Sequence, residues 1–470
     1  MALHQHTPAH DEPATENLSL RPQFAQDLET GEVPRLDIPS GSMPAATAYQ
    51  IVHDELMLDG NARLNLATFV TTWMEPEAER LMAECAPKNM IDKDEYPQTA
   101  ELERRCVNML ARLWNADPNE EATGCSTTGS SEACMLAGLA LKWRWRKARG
   151  NAGLPTDRPN LVMGTNVQVC WEKFCRYFDV EPRLVPVGPD VAHLTADKAV
   201  PHCDENTIGV VAILGSTFDG AYEPVEEISK ALDALAGSGG PDVPLHVDGA
   251  SGAMVAAFLD PQVVWDFRLP RVHSINTSGH KYGLVYPGVG WVVWRSAEAL
   301  PDELVFKVDY LGGEMPTFAL NFSRPGAQVA AQYFNFLRLG RDGFRDLQAA
   351  CRETGKWIAS EITGLGSFAL VSDGPGIPAF AFRLTEETGY DVFAVSDALR
   401  AKGWLVPAYR MPEAMTEMAV LRIVVRNGFS RDLASMLVGD LRSVVEELTH
   451  RSGSGSGTAS DAKERTGFHH

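Results

Sequence analysis

Short apolar runs rich in β-branched residues alternate with amphipathic stretches along most of the chain. Two stretches, 132–149 and 225–236, place apolar side chains on one face of a helix. The run at 208–214 is apolar on both faces, which is typical of a strand buried inside a parallel sheet. Similar runs predict further strands at 161–164, 183–187, 244–248, 274–277 and 290–294. The alternation of strand and helix predicts an α/β fold with a mostly parallel central sheet.

A different rhythm begins near residue 344. A long helix at 344–363 is predicted there, followed by a strand at 379–384, a helix at 391–402 and strands near 403–407 and 420–425. This pattern predicts a large domain over 63–343 and a small C-terminal α+β domain over 344–451. Residues 1–62 are predicted to be an N-terminal arm. Ser452 begins a Gly/Ser linker, so 452–470 are expected to be a flexible linker and tail.

Composition narrows the class of protein. The 470 residues carry 42 Lys and Arg against 62 Asp and Glu, a net charge of −20, and this argues against a nucleic-acid partner because phosphate binding needs concentrated positive charge. The uncharged run 282–294 contains a Pro and is too short to span a bilayer as a helix. The N-terminus lacks the features of a secretory signal, and the 8 cysteines contain no CxxC pair. We therefore expect a cytoplasmic protein without a membrane span.

Candidate chemistry lies in the segments GSSEA (129–133), HVDGA (246–250), SGHK (278–281) and NFSRPG (321–326). Ser130 and Ser131 stand where a loop becomes a helix, which favours a bound phosphate, although such serines are usually N-caps. Asp248 ends a strand, and Lys281 follows the next one. Together these residues supply a phosphate cradle, an acid for a pyridine nitrogen and an amine for an imine, the parts that pyridoxal 5'-phosphate requires. His246 beside Asp248 lacks further spaced ligands, so no metal is expected.

Longer stretches show a resemblance to a known family. IVHDELMLDGNARLNLATF, STTGSSEACMLAGLALKWRWRKA, HVDGASGAMVAAF and VWDFRLPRVHSINTSGHKYGL are similar to the bacterial glutamate decarboxylases, and the similarity covers roughly residues 50–450. The resemblance implies fold type I of the pyridoxal-phosphate enzymes, which resembles aspartate aminotransferase. It also implies decarboxylation of L-glutamate to 4-aminobutanoate with uptake of a proton, and a role in acid resistance. A homo-oligomer is implied, with a dimer as the minimal unit and a hexamer consistent with the family.

The resemblance also implies roles for residues at the cofactor. Lys281 is the expected Schiff-base lysine, and Asp248 is the expected partner of the pyridine nitrogen. Gln168 is expected to stack on one face of the ring, Ala250 to pack on the other, and Thr217 to lie near the phenolic oxygen. The residues expected to hold the phosphate are Ser130, Ser131 and His280, with Ser323 from a neighbouring subunit.

At the substrate, Arg422 is expected to grip the α-carboxylate in a bidentate manner. Thr68, the amide of Phe69, and Asn89 and Asp92 of the partner chain resemble the pocket for the distal carboxylate. Tyr310, followed by Leu311, belongs to the family's mobile loop and is expected to deliver the proton to Cα. Two structural alternatives stay open at this point: Arg422 could pair with a neighbouring carboxylate, and Tyr310 could be a core aromatic residue.

Other functions remain open as well. The nearest is decarboxylation of a different amino acid, although Gln168 argues against the related aromatic amino-acid decarboxylases, which usually have His there. A protein that keeps the fold without chemistry is disfavoured by Lys281 and Asp248. The resemblance further implies that a C-terminal histidine, His469 or His470, closes the active site at neutral pH. A disordered polar terminus is the alternative there.

Overall fold

The computed structural model describes residues 33–188, 191–308, 315–372, 376–385 and 388–453. The expected site residues Tyr310, His469 and His470, together with Leu311, lie outside these ranges, so their roles stay predictions. The chain divides into two units, Met1–Asn61 and Ala62–His470. Within the first unit, α1 (Ala45–Leu56) is the helix among the described residues. All other elements belong to the second unit.

The helices of the second unit are α2 (Pro76–Cys85), α3 (Pro97–Leu113), α4 (Ser130–Asn151), α5 (Val169–Tyr177), α6 (Ala196–Ala199), α7 (Val225–Gly237), α8 (Ala253–Leu259), α9 (Ala327–Gly364), α10 (Val392–Ala401) and α11 (Arg431–Gly453). The strands are β1 (Thr123–Thr127), β2 (Asn160–Gly164), β3 (Glu181–Val185), β4 (Thr207–Ile213), β5 (Leu245–Asp248), β6 (Val272–Thr277), β7 (Gly290–Trp294), β8 (Phe306–Val308), β9 (Met315–Thr317), β10 (Phe368–Leu370), β11 (Ala379–Leu384), β12 (Ala408–Arg410) and β13 (Ala419–Val424). Among the described residues, no helix is both long and apolar enough to cross a membrane.

The central sheet has seven strands in the order β1-β7-β6-β5-β4-β2-β3. Strands β3, β2, β4, β5 and β6 run parallel to one another, and β7 is antiparallel to both β6 and β1. Every residue of β4 is buried, as its continuous apolar pattern predicts. The predicted α/β fold with a mostly parallel sheet is confirmed. Strand β1 was not predicted, because TGCST has no continuous apolar run.

The C-terminal part contains a four-stranded antiparallel sheet in the order β10-β11-β13-β12. Its core includes Ile358 of α9 and Leu399 of α10. The predicted strand at 403–407 is wrong: Leu405 makes only an isolated bridge to Asn65, and β12 begins at Ala408. Pro407 has no N–H to donate to a neighbouring strand, so regular pairing starts after it.

Helix α9 extends beyond the predicted helix and crosses the predicted domain boundary at 343/344. It contains one non-helical residue, Gly340, with φ 59° and ψ −170°, so it is two helices joined at a kink. Phe344 packs into the core of the central sheet, whereas Cys351 packs into the core of the small sheet. The domain boundary itself stays a prediction.

Candidate functional site

The expected site residues gather at one edge of the central sheet. Asp248 is the last residue of β5, Lys281 follows β6, Thr217 follows β4, and Gln168 follows β2. These four strands are parallel, so their carboxyl ends meet at the same edge, where ligands bind in open α/β sheets. Residues far apart in the sequence are therefore brought together by strand order.

Asp248 is buried and surrounded by hydrogen-bond donors. Its Oδ2 accepts from the indole Nε1 of Trp171 at 2.8 Å and from the thiol of Cys134 at 3.7 Å. Its Oδ1 accepts from the amide of Asn276 at 3.1 Å and from the backbone N–H of Ala250 at 3.1 Å. Donors of this kind favour the ionised form of a carboxyl group. The arrangement suits an acid that must hold a positive pyridinium nitrogen.

The metal alternative for His246 meets a geometric obstacle. Both ring nitrogens are already hydrogen bonded, Nδ1 to the hydroxyl of Ser274 and Nε2 to the amide oxygen of Asn276, each at 2.8 Å. Burial lowers the pKa of His246 to about 4. Cys170 is buried, and its sulfur lies within 4.8 Å of a carboxylate oxygen of Asp248. His246 therefore supports its neighbours instead of offering a free ligand atom.

Lys281 lies between Ser251, which was not predicted, and Phe69, which was predicted for its amide. Its Nζ donates to the hydroxyl of Ser251 at 3.1 Å and lies 5.4 Å from the ring centroid of Phe69. The hydroxyl of Thr71 donates to the backbone oxygen of Lys281 at 2.6 Å and fixes the main chain. Burial lowers the pKa of the amine, and the charge of Asp248 opposes this shift. The lowered pKa increases the neutral, nucleophilic fraction of the amine.

Three of the residues expected to hold the phosphate, Ser130, Ser131 and His280, lie at or beside the start of α4. Gly129 is the N-cap residue, and no side chain caps this end of the helix, so its first amides keep their hydrogens available. Ser130 is buried, whereas Ser131 is exposed. A Cβ on Gly129 would lie 3.0 Å from Cε1 of His280, so glycine permits the close approach of the imidazole. Burial lowers the pKa of His280 to about 4, and its Nδ1 accepts from the backbone N–H of Val289, which leaves Nε2–H as a donor.

Gln168, Thr217 and Arg422 form a continuous chain of hydrogen bonds. The amide of Gln168 donates to the hydroxyl of Thr217. The guanidinium of Arg422 donates to the backbone oxygens of Thr217 and Ala67, each at 2.6 Å, and lies 4.6 Å from the ring centroid of Phe69. The alternative that Arg422 pairs with a neighbouring carboxylate is wrong, since its terminal nitrogens donate to main-chain carbonyls instead.

The segment around Thr68 and Phe69 is held in place by a second arginine. Nη1 of Arg426 donates to the backbone oxygens of Asn65 at 2.8 Å and of Thr68 at 2.6 Å, and Nη2 reaches the hydroxyl of Thr72 at 3.3 Å. The Asn65 side chain accepts from the backbone N–H of Thr68 at 3.3 Å. These bonds place Phe69 against Lys281 and Arg422.

The remaining expected residues form a separate group. The amide of Asn89 donates to the hydroxyl of Ser323 at 3.2 Å, and its oxygen accepts from the backbone N–H of Arg324 at 3.1 Å. The backbone N–H of Asp92 donates to the backbone oxygen of Asn89 at 3.2 Å. Within the part of the chain that the structure describes, no hydrogen bond joins this group to Lys281. The structure thus brings these three residues together without a hydrogen bond to Lys281 among the described residues.

Sequence reasoning missed four side chains at the site: Trp171, Ser251, Asn276 and Arg426. Trp171 follows Gln168 by three positions and Ser251 follows Ala250. Their closeness in sequence to expected site residues could have identified both. Asn276 and Arg426 offered a weaker signal, since each is a polar residue in or just after a strand. Their partners become visible only in three dimensions.

Comparisons with known proteins agree on one family. Residues 39–385 match the family described as the pyridoxal-dependent decarboxylase conserved domain. A glutamate decarboxylase of Aliivibrio fischeri is 52% identical over 461 residues, which cover 96% of this chain and 98% of that protein.

Solved structures extend the comparison to the fold. A glutamate decarboxylase of Lactobacillus brevis superposes with a TM-score of 0.88 at 45% identity, over 92% of this chain and 99% of that one. A structure of Oryza sativa TDC with PLP and tryptamine has a TM-score of 0.73 at 16% identity, over 88% of this chain and 90% of that one. This second likeness shows a shared fold alone, and both are consistent with the fold type that the sequence resemblance implies.

Proposed function

Because the chain belongs to the pyridoxal-dependent decarboxylase family, and within it to the glutamate decarboxylases, we propose that it converts L-glutamate and a proton to 4-aminobutanoate and carbon dioxide with Lys281 as the cofactor-binding lysine. The observation that carries this proposal is the convergence of Lys281, Asp248 and Arg422 on one sheet edge. An amine, an acid held by donors and a buried guanidinium are the three groups that this chemistry needs.

The residues present fit pyridoxal 5'-phosphate, the cofactor of this family. The start of α4 has uncapped amides beside Ser130 and the Nε2–H of His280, which together suit a phosphate. Asp248 offers a carboxylate for a ring nitrogen, and Lys281 offers an amine for an aldehyde. When bound, the cofactor accepts the electron pair left on Cα as carbon dioxide departs.

The chain's own residues divide the remaining tasks. Lys281, with its lowered pKa, supplies the amine that holds the cofactor and later releases the product. Asp248, held by hydrogen bonds from Trp171 and Asn276, is assigned to the protonated ring nitrogen. We assign Gln168 and Ala250 to the two faces of the ring.

Arg422 is assigned to the α-carboxylate. Its two terminal nitrogens are fixed by main-chain oxygens, and its buried Nε lacks a hydrogen-bond partner among the described residues. A fixed donor that still lacks an acceptor favours binding of a carboxylate. Thr68 and the amide of Phe69, held by Arg426, are assigned to the distal carboxylate. A substrate with two carboxylates, such as glutamate, meets both requirements.

We further propose that the active unit is at least a dimer, and that Asn89, Asp92 and Ser323 serve the neighbouring subunit's site. Hydrogen bonds join Asn89 to Ser323 and to Asp92, and among the described residues none joins this group to Lys281, which supports this assignment. A hexamer is consistent with the family. We also assign the protein to the cytoplasm, where consumption of one proton per turnover would contribute to acid resistance.

The tail is proposed as a pH-dependent lock through His469 or His470. Imidazole with a pKa near 6.5 is neutral, and so able to act, only above that pH. Deleting 458–470 should raise activity near neutral pH and leave activity on the acid side unchanged. Identical pH profiles for truncated and full-length protein would show that the tail is not a lock.

The central proposal is tested with Lys281→Ala and a matched control, the exposed Lys230→Ala. Lys281→Ala should abolish production of 4-aminobutanoate, and borohydride should no longer attach the cofactor to the protein, while Lys230→Ala should behave as wild type. Substantial turnover by Lys281→Ala would contradict the assignment. Assaying wild type against a panel of amino acids tests the alternative substrate, and a preference for another amino acid would support that alternative.

A further inference from the structure

We infer that Asn276 is a positioning residue that locks the cofactor's ring acid, Asp248, to its phosphate ligand, Ser130, and that His246 orients Asn276 for this task. The inference deepens the proposed function and rests on it for the identity of the cofactor. Asn276 is fully buried, and its amide nitrogen lies 3.1 Å from Asp248 Oδ1 and 3.1 Å from Ser130 Oγ. One side chain therefore contacts both the acid assigned to the ring nitrogen and a serine assigned to the phosphate.

Chemistry fixes which way the amide faces. An ionised carboxylate only accepts hydrogen bonds, so the group facing Asp248 must be the NH2 of Asn276. Its two hydrogens then go to Asp248 and Ser130, and its oxygen faces His246 Nε2 at 2.8 Å. Reversing the amide would set two acceptors against each other at Asp248. The orientation is thus determined by its surroundings.

The same logic fixes His246. Because the amide oxygen of Asn276 only accepts, Nε2 of His246 must carry a proton. Nδ1 of the neutral ring then accepts from the hydroxyl of Ser274 at 2.8 Å. Complete burial, which lowers the pKa to about 4, keeps the ring neutral and in this one tautomer. His246 acts as a fixed donor behind Asn276.

The hydrogen bonds of the Ser130 hydroxyl are also fixed by its neighbours. Its oxygen accepts from Asn276 and lies 2.8 Å from the hydroxyl of Ser278, which donates to it. With both acceptor positions occupied, the hydroxyl proton of Ser130 is left to donate elsewhere. A phosphate at the start of α4 is the acceptor that this arrangement favours.

Loss of Asn276 removes a hydrogen bond from Asp248 and so changes how Asp248 shares a proton with the cofactor. Each N–H bond to its carboxylate favours the charged form, and Asn276 supplies one beside those of Trp171 and Ala250. Without the Asn276 bond the carboxylate has one donor fewer, so a proton shared with a pyridine nitrogen moves toward the carboxylate. The ring nitrogen then loses positive character.

The test uses Asn276→Leu, of similar size, and Asn276→Ser, which keeps a hydroxyl but is too short to reach both partners. The control is Asn160→Leu. Asn160 is a fully buried amide that also bridges a carboxylate and a hydroxyl, those of Asp204 and Thr207, but at the opposite end of the sheet. Either Asn276 variant suffices if the other fails to fold.

Two readouts need no substrate. With cofactor labelled with 15N at the ring nitrogen, the NMR signal should be that of a protonated nitrogen in wild type and Asn160→Leu, and should move toward the neutral value in the Asn276 variants. The cofactor's dissociation constant should rise by about tenfold in the Asn276 variants. This is the lower end of the effect that removing a hydrogen-bond partner behind a ligand has at metal sites. Unchanged signals and affinity, or equal changes in Asn160→Leu, would overturn the inference.

A third readout separates this inference from the proposed function. In a cofactor analogue with carbon in place of the ring nitrogen, the loss of rate caused by Asn276→Leu should shrink, because the variant acts through that nitrogen. An equal loss with both cofactors overturns the role at Asp248. If wild type makes no 4-aminobutanoate but the 15N and affinity results hold, the substrate assignment fails and the inference about Asn276 stands.

Discussion

Arg426 shows how a single buried cation can shape a binding segment. It is 4% exposed, burial lowers its pKa, and the hydrogen bonds of its terminal nitrogens go to the oxygens of Asn65, Thr68 and Thr72. Arg426 therefore fixes the segment that carries Phe69, and within the described ranges it does not form a salt bridge with a carboxylate. Hydrogen bonds to a charged group contribute about 1.5–3 kcal/mol each.

Arg426→Met should consequently weaken substrate binding more than it slows chemistry. Freed carbonyls and a mobile Thr68 segment should raise KM for glutamate by about tenfold, equivalent to about 1.4 kcal/mol, with a smaller change in kcat. Steady-state kinetics of Arg426→Met beside Arg410→Met, an exposed arginine of β12, measures this. A fall in kcat with KM unchanged would assign Arg426 to the chemical step instead.

At the scale of elements, α9 depends on one glycine. Gly340 has φ 59° and ψ −170°, a region that is essentially limited to glycine, and a Cβ there would meet no atom within 4 Å. The cost of a substitution therefore comes from the backbone alone. The segment before the kink packs into the core of the central sheet at Val329, and the segment after it reaches the core of the small sheet at Ile358.

Gly340→Ala should lower the free energy of unfolding by about 1–3 kcal/mol without a steric clash. Gly364→Ala, at the end of the same helix and also without neighbours within 4 Å of the added methyl, is the matched control. That variant should be neutral or slightly stabilising, since alanine restricts the unfolded chain. Urea unfolding of both variants decides the matter, and equal midpoints would refute the strain at Gly340.

The whole molecule should lose stability in acid through its buried histidines. Burial lowers the pKa of His273 to about 4, and the charges of Arg144 and Arg295 act in the same direction. An unfolded histidine has a pKa of about 6.5, so between these values the unfolded chain binds a proton that the native protein does not. Stability therefore falls as pH falls through this window, as it does for His246 and His280.

His273→Asn should flatten this dependence. Between pH 6.5 and 4, the slope of the unfolding free energy should decrease by up to about 1.4 kcal/mol per pH unit. The exposed His450→Asn controls for the loss of an imidazole elsewhere. Unfolding curves at several pH values provide the measurement, and equal slopes for His273→Asn and wild type would contradict the prediction.

The proposed sharing of an active site between two subunits is tested at the scale of the whole molecule. Inactive Lys281→Ala chains mixed with inactive Ser323→Ala chains should regain activity, because a hybrid dimer contains one site with both residues intact. Random pairing restores about a quarter of the wild-type activity at most. Mixing Lys281→Ala with Lys281→Ala as a control should restore nothing. Absence of rescue in the first mixture would mean that each site is built from one chain.

The sequence by itself determined the architecture and the chemical groups of the site. Strand and helix patterns are local, so the positions of β4 and β7 and the mostly parallel sheet could be predicted from single stretches. Asp248 and Lys281 stand next to predicted strands, and strand ends share an edge in a parallel sheet. Their placement at the same sheet edge was therefore predictable without coordinates.

Only the tertiary structure decided which groups contact each other there. Trp171 and Asp248 are 77 positions apart, and Arg422 and Ala67 are 355 apart. Hydrogen bonds over such separations depend on strand order, side-chain rotamers and the burial of competing groups, none of which is encoded in a local period. The sequence left open a carboxylate partner for Arg422 and was silent about Asn276. Folding settled both, because buried donors must take the acceptors that the packed chain places within reach.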